Sequence, residues 1–284
     1  MTRHEIHNLI SLLEDPDKAI YSEVRSRLLE FGADIIPDLE NAWGKNFDTL
    51  IQSRAEDIIH DIQYISIKND LKNWINNDNK DLLEAWLIIT KYQYPDINAN
   101  AIKIELDWMS KEVAKSLNPT LTEYEQVQLI NMILFDSCKL KGNSKNFHAP
   151  QNSYINDVLN TKRGNPLSLS LIYIIVAQKC NLSISGINLP MHFLVAYIDD
   201  ENLLIGDPVK FYINPFSRGT VLSRRDIERF LNKEKMNLKT TFFTPCANIV
   251  AIKRILVNLL NAYAIQGNSE KINDIRGFLD VFKK

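Results

Sequence analysis

Apolar residues recur at three- and four-residue intervals through most of this chain, and the two-residue alternation of strands surfaces in one stretch, about residues 183–222. Residues 1–77 carry the helical period in short blocks. In YSEVRSRLLEFGADIIPDLENAW, Val24, Leu28 and Leu29 fall at helical spacing, Gly32 closes that helix, and Pro37 follows the start of the next, with Leu39 and Trp43 behind it. A second block, FDTLIQSRAEDIIHDIQYI, puts Leu50, Ile51, Ala55, Ile58, Ile59 and Ile62 on one broad face.

Stacked helices of this kind resemble a HEAT-type unit, although any helical bundle has the same period. Two more amphipathic helices, KDLLEAWLIITKY and NANAIKIELDWMSKEVAKSL, are separated by Tyr94-Pro95-Asp96, and Asn118-Pro119 stops the second. Thr122 and Glu125 stand at capping-box spacing, which predicts a further helix from about Glu123 to Lys139. The polar run KGNSKNFHAPQN reads as a loop.

Asn165 as N-cap with Pro166 at the first helical position gives the clearest local signal, because Asn accepts from free backbone N–H groups and Pro has none to satisfy. The helix behind them, LSLSLIYIIVAQKC, has almost no polar stripe and is expected to be buried nearly all round. LSISGINL and HFLVAYID read as strands with Pro190 at the bend between them, and Asp199-Asp200-Glu201-Asn202 reads as a turn into LLIG. FYINPF reads as another short strand, Ser217-Arg218-Gly219 as a turn, and Ser223 with Asp226 as the cap of RRDIERFLN. From Pro245 the pattern is two helices joined at Gly267-Asn268, with Tyr263, Leu260 and Ala264 facing Ile272, Ile275 and Leu279, a hairpin of tetratricopeptide type.

Composition narrows the classes. At 284 residues, 45% hydrophobic and 24% charged, the chain is an ordinary globular sequence with room for a large core. Thirty-three basic against 35 acidic residues provide no global field for nucleic acid or an anionic membrane. No run reaches the roughly 18 apolar residues of a membrane span. The opening MTRHEIHNLISLLEDPDK lacks the layout of a signal peptide, and Cys138, Cys180 and Cys246 are odd in number with no CxxC pair. A cytoplasmic protein with reduced thiols is expected. Of the cysteines, Cys138 reads as a small buried hydrophobe, and Cys246, after Pro245 near a helix start, is the only one placed for a depressed pKa, although it lies outside the core motif. The histidines His4, His7, His60 and His148 have no metal-ligand spacing, so no metal or other cofactor is expected.

A nucleophile of the papain kind needs a helix N-terminus, a histidine within hydrogen-bond reach, and an amide or carboxylate orienting that histidine. The chain offers the helix start at Asn165-Pro166, His192 on the strand region that follows, and Asn214 or Asp207 beyond. At the helix start stands Ser168, which can equally cap the first turn. Arg163 is expected to anchor Asp157, Asp207 or a backbone carbonyl, and Gly164 and Gly219 to serve turns of unusual φ.

The runs RGNPLSLSLIYIIVAQKCNL, GINLPMHFLVAY and FYINPFSRGTVLS resemble the bacterial transglutaminase-like proteins of the SirB type, over roughly residue 81 to the C-terminus. The resemblance implies a transglutaminase-like (cysteine-proteinase-like) α+β core with a small antiparallel sheet, placed at 78–235; with the HEAT-like helices at 1–77 and the tetratricopeptide-like hairpin at 236–284 read from the helical pattern, the expected fold is α+β and mostly helical. It places Ser168 or its neighbours where active transglutaminases keep cysteine, matches His192 to their histidine and Asn214 to their aspartate. It leaves Arg163, Gly164, Asn165 and Asp207 as substrate-binding or structural residues. Met191 stands where the family usually has Gly. The expected function is a non-catalytic, protein-interaction or regulatory module with an unidentified protein partner and no nucleic acid or membrane. The alternative is an acyl-transfer enzyme or hydrolase of amide or ester bonds using Ser168, His192 and Asn214.

Overall fold

In the computed structural model, which describes residues 3–199 and 208–283, contacts cluster into two units, Met1–Asn73 and Trp74–Lys284. The first unit is helical. It holds α1 (Arg3–Ser11), α2 (Lys18–Glu30), α3 (Ile36–Lys45) and the start of α4 (Thr49–Asn76). Asp17 caps α2 by accepting the Ala19 N–H at 2.7 Å. Gly32, at φ +64°, supplies the left-handed residue that ends α2, as its position in the sequence implies. Leu13, Val24, Leu28, Ile35, Leu39, Ile51, Ile58 and Ile62 form the core. Arg54 is buried with them because its guanidinium is satisfied, donating to Leu13 O at 2.8 Å and Asp15 O at 2.5 Å over the Tyr21 ring.

The second unit is assembled around one helix. α5 (Leu82–Gln93), α6 (Ala99–Ala114), α7 (Glu123–Asn131) and α8 (Ile155–Thr161) precede it, with β1 (Lys141–Gly142) pairing in parallel with β2 (Arg163–Gly164). α9 (Pro166–Lys179) follows, and every residue from Pro166 to Ala177 is buried. Its neighbours are α5, α6, α7 and a further helix, α11 (Asn248–Gln266), together with strands of a four-stranded antiparallel sheet. That sheet orders β3 (Ile184–Ile187), β4 (Leu194–Ile198), β5 (Val209–Asn214) and β6 (Thr220–Leu222) by sequence. Central β4 is buried along its whole length, and Val195 sits opposite both Gly186 and Ile213. α10 (Arg224–Lys233) lays Ile227 and Leu231 against Leu194, Ala196 and Tyr212.

The family-level expectation of a mostly helical chain with a small antiparallel sheet is what the structure contains. α11 and α12 (Ser269–Asp280) form the expected hairpin, with Gly267 at φ +71° between them, and they belong to the second compact unit. Contrary to the sequence reading, α11 is long and apolar enough to cross a membrane by length and composition alone. Its Ala251, Ile252, Ile255, Leu256 and Leu259 are buried in the unit, as in the core helix of a folded domain. The turn expected at 199–202 and the LLIG segment fall largely outside the described residues.

Two further expectations need correction. The helix predicted to reach Lys139 keeps α-geometry only to Asn131 and continues as a wider π-helical stretch, Met132–Ser137, whose end is marked by a bond from Cys138 N to Ile133 O at 2.8 Å. At the junction Asn131 turns its amide inward, donating to Gly219 O at 3.1 Å and accepting from the Tyr173 hydroxyl at 3.2 Å. Gly219 does occupy the left-handed region, at φ +74°, and a Cβ there would run into Asn131. Gly164 does not have a positive φ. It is required because a Cβ would stand 2.5 Å from Ser168 Oγ.

Because α9 has no solvent face, cavities in it cannot be relieved by water. Replacing fully buried Leu171 by Ala is expected to lower unfolding free energy by about 3 kcal/mol in urea titration. Replacing Ile104, 68% exposed on α6, is expected to change it by less than about 0.5 kcal/mol.

Candidate functional site: the cleft at the start of α9

Helix α9 begins with a reciprocal cap. Asn165 Oδ1 accepts the Ser168 N–H at 2.9 Å, and Ser168 Oγ accepts the Asn165 N–H at 2.9 Å. Ser168 Oγ also donates to Asn165 O at 3.2 Å, so its proton and a lone pair are both engaged within the turn. Asn165 Nδ2 donates to Ser153 Oγ at 3.2 Å. Both residues are buried. One turn on, Ser170 Oγ lies 2.7 Å from Pro166 O and 3.1 Å from Phe193 O, sharing one proton between its own helix and the start of β4. This fixes the helix against the strand that follows His192.

A cleft of about 620 Å³ opens beside this helix start. Asn165, Pro166 and Leu167 form one wall, Met191, His192 and Phe193 another, and Arg254, Asn258 and Asn261 of α11 a third, with Phe147, His148, Phe230 and Glu234 also lining it. The volume lies in the range of small-ligand sites. His192 packs edge-on against Phe230, ring centroids 4.9 Å apart. Its Nδ1 is buried and has no hydrogen-bond partner among the described residues. Burial lowers the His192 pKa; Glu234 pulls it up and Arg254 pushes it down. Burial therefore favours the neutral imidazole. Met191 adopts φ +60°, a conformation that costs a side-chain-bearing residue about 1 kcal/mol, and glycine would take it without strain.

The structure thus brings Asn165 and His192 to one cleft and locks Ser168 behind its wall. No hydrogen bond joins Ser168 to His192, or His192 to Asn214. The Asn214 Oδ1 instead caps the short turn Pro215–Ser217, accepting from Phe216 N at 3.1 Å and Ser217 N at 3.3 Å. Asp207 lies outside the described residues. Arg163 forms no ion pair with Asp157, whose carboxylate takes the Tyr94 hydroxyl at 2.7 Å. The depressed pKa expected for Cys246 is reversed: burial pushes the thiol up to about 11. Burial also raises Cys138, a half-buried residue just past the π-helical stretch, and Cys180, whose Sγ lies 3.3 Å from Ser110 O. Among the described residues no cluster of His, Cys, Asp or Glu could hold a metal.

Sequence reasoning missed Arg254, Asn258 and Asn261. Their signal is present in IKRILVNLLNAY, where three polar residues at i, i+4 and i+7 interrupt an otherwise apolar helix along one face.

Comparison with known proteins fits this architecture. The family model for the transglutaminase-like superfamily matches residues 100–257, which contain α9, the sheet and most of the cleft. The chain is 28% identical over 206 residues to the UPF0162 protein of Xylella fastidiosa (strain 9a5c), covering 67% of each chain. It is 25% identical over 256 residues to F-box only protein 21 of Mus musculus, covering 80% of this chain and 40% of that one. A UPF0162 protein of Vibrio cholerae is 24% identical over 154 residues, 54% of each chain. No solved structure matches.

The neutral state of His192 has a thermodynamic consequence. Its folded pKa lies below the unfolded value, so the unfolded chain binds the proton more readily, and stability present above about pH 6.5 is lost as pH falls through the folded value. The variant His192→Gln is expected to lose less stability than the parent between pH 7 and pH 5 in urea titrations; an equal loss would assign the pH dependence to other groups. With its α9 helix, four-stranded sheet and matched central region, the chain belongs to the transglutaminase-like superfamily.

Proposed function

We propose that this chain is a SirB-type, non-catalytic member of the superfamily and acts as a protein-interaction module through the cleft at the start of α9. One observation carries the reading. The helix-start residues that share the cleft with His192 are Asn165, Pro166 and Leu167, none of them a nucleophile, while the Ser168 hydroxyl is buried and doubly engaged in its own cap. A serine nucleophile needs its proton taken by a base, and here no base reaches it.

The remaining polar groups suit recognition. An unpartnered imidazole nitrogen and an arginine wall give a cleft specific features without a reacting atom. Helices α1–α4, read as HEAT-like, and the tetratricopeptide-like pair α11–α12 provide further faces. Trp43, 42% exposed, and Phe47, 97% exposed, stand on the first of these as apolar contact points. The alternative, an amide or ester hydrolase or acyl-transfer enzyme using Ser168, His192 and Asn214, would require the cap to open.

The test is a screen of the full chain against p-nitrophenyl esters and glutaminyl amides, with Ser168→Ala in parallel. No turnover above buffer is expected from either protein, and Ser168→Ala should lose about 1 kcal/mol of stability with its capping bonds. Turnover abolished by Ser168→Ala would overturn the reading in favour of the enzyme.

A further inference from the structure

Arg254 is a half-buried cation with unspent bonding capacity. It leaves α11 to donate to Asn188 Oδ1 at 3.0 Å, and among the described residues no carboxylate pairs with it. A guanidinium has five N–H donors, so a neutral amide on one of them leaves the rest of the fork to the cleft. Burying such a charge without an anion is costly, and the cost disappears when an anion enters. Glu234, exposed to water, also lines the cleft and its charge reaches His192, so the positive charge is local to the Arg254 guanidinium.

Two amides extend this wall. Asn258 and Asn261 follow Arg254 at i+4 and i+7, and among the described residues neither side chain has a hydrogen-bond partner. Each amide offers donors and an acceptor, the same pair of functions a peptide unit presents in return. Seven residues of helix rise about 10 Å, the length of about three residues of extended chain. Across the cleft, Leu167, Met191 and Phe230 supply apolar contact.

We infer that the cleft binds an extended peptide bearing a carboxylate, with the carboxylate on the Arg254 guanidinium and the adjoining backbone on the Asn258 and Asn261 amides. The inference rests on the proposed function, since it names the partner chemistry of the same cleft. The carboxylate could be a chain terminus or an acidic side chain. Both match the planar fork of Arg254 in the same way.

The experiment titrates the full chain, 15N-labelled, with three probes: acetyl-Ala-Ala-Ala with a free carboxylate, acetyl-Ala-Asp-Ala amide, and acetyl-Ala-Ala-Ala amide. The carboxylate probes are expected to shift Arg254 Nε and the Asn258 and Asn261 side-chain amides saturably, and the tighter of the two identifies the source of the carboxylate. The neutral probe should bind at least about tenfold more weakly, and Arg254→Gln should weaken the charged probes by about the same factor. If Arg254→Gln fails to fold, Asn261→Trp, at an exposed position on the cleft wall, should weaken them instead by blocking the groove. Equal binding of the neutral probe, or saturable shifts with none of the three, overturns the inference. Mass spectrometry of the same samples separates it from the underlying reading: probe hydrolysis would refute the non-catalytic function and leave carboxylate binding to be judged by the shifts.

Discussion

A helix whose side chains are apolar in every direction has to be enclosed, and the enclosure of α9 organises the whole second unit. Its twelve consecutive buried residues require partners on all sides: helices α5, α6, α7 and α11, and the sheet with β4 at its centre. The same burial removes water from the helix start, where free N–H groups would otherwise be unsatisfied. The reciprocal Asn165–Ser168 bonds meet that need. Gly164 then has to lack a side chain, because the Ser168 hydroxyl occupies the space.

This cap also decides the chemistry. The dipole of a helix start favours an anion, and in the papain arrangement the anion is a thiolate next to a histidine. Here proline occupies the first helical position and leucine the second, while serine, the first residue with a hydroxyl, turns back into the backbone. What faces the histidine is a shaped, partly charged cleft.

Local signals were legible where one residue type answers one backbone need. Asn165, Pro166, Thr122, Ser223, Gly32 and Gly267 all mark helix ends because caps and left-handed residues are chosen by short-range chemistry. The apolar run of α9 announced its own burial. The π-helical stretch was invisible because Met132–Phe135 are apolar and read as more of the same helix, and the contact at its start, from Asn131 to Gly219, spans 88 residues of sequence. Cys246 was hidden by the same long-range packing: its position near a helix start suits an activated thiol, but burial, which only the tertiary fold sets, pushes the thiol up. The cleft could be named from His192 and the start of α9, but its third wall comes from α11, and only tertiary packing unites them.

The three suppressed thiols have a practical consequence. Thiolates are the species that react with maleimides and disulfide reagents, and burial shifts Cys138, Cys180 and Cys246 towards the thiol, so each is expected to react more slowly than an unperturbed, exposed cysteine. A single cysteine engineered at a solvent-exposed position would outcompete them. That difference in rate is what directs fluorophores, spin labels or crosslinkers to a chosen position while the three half-buried native thiols stay in place.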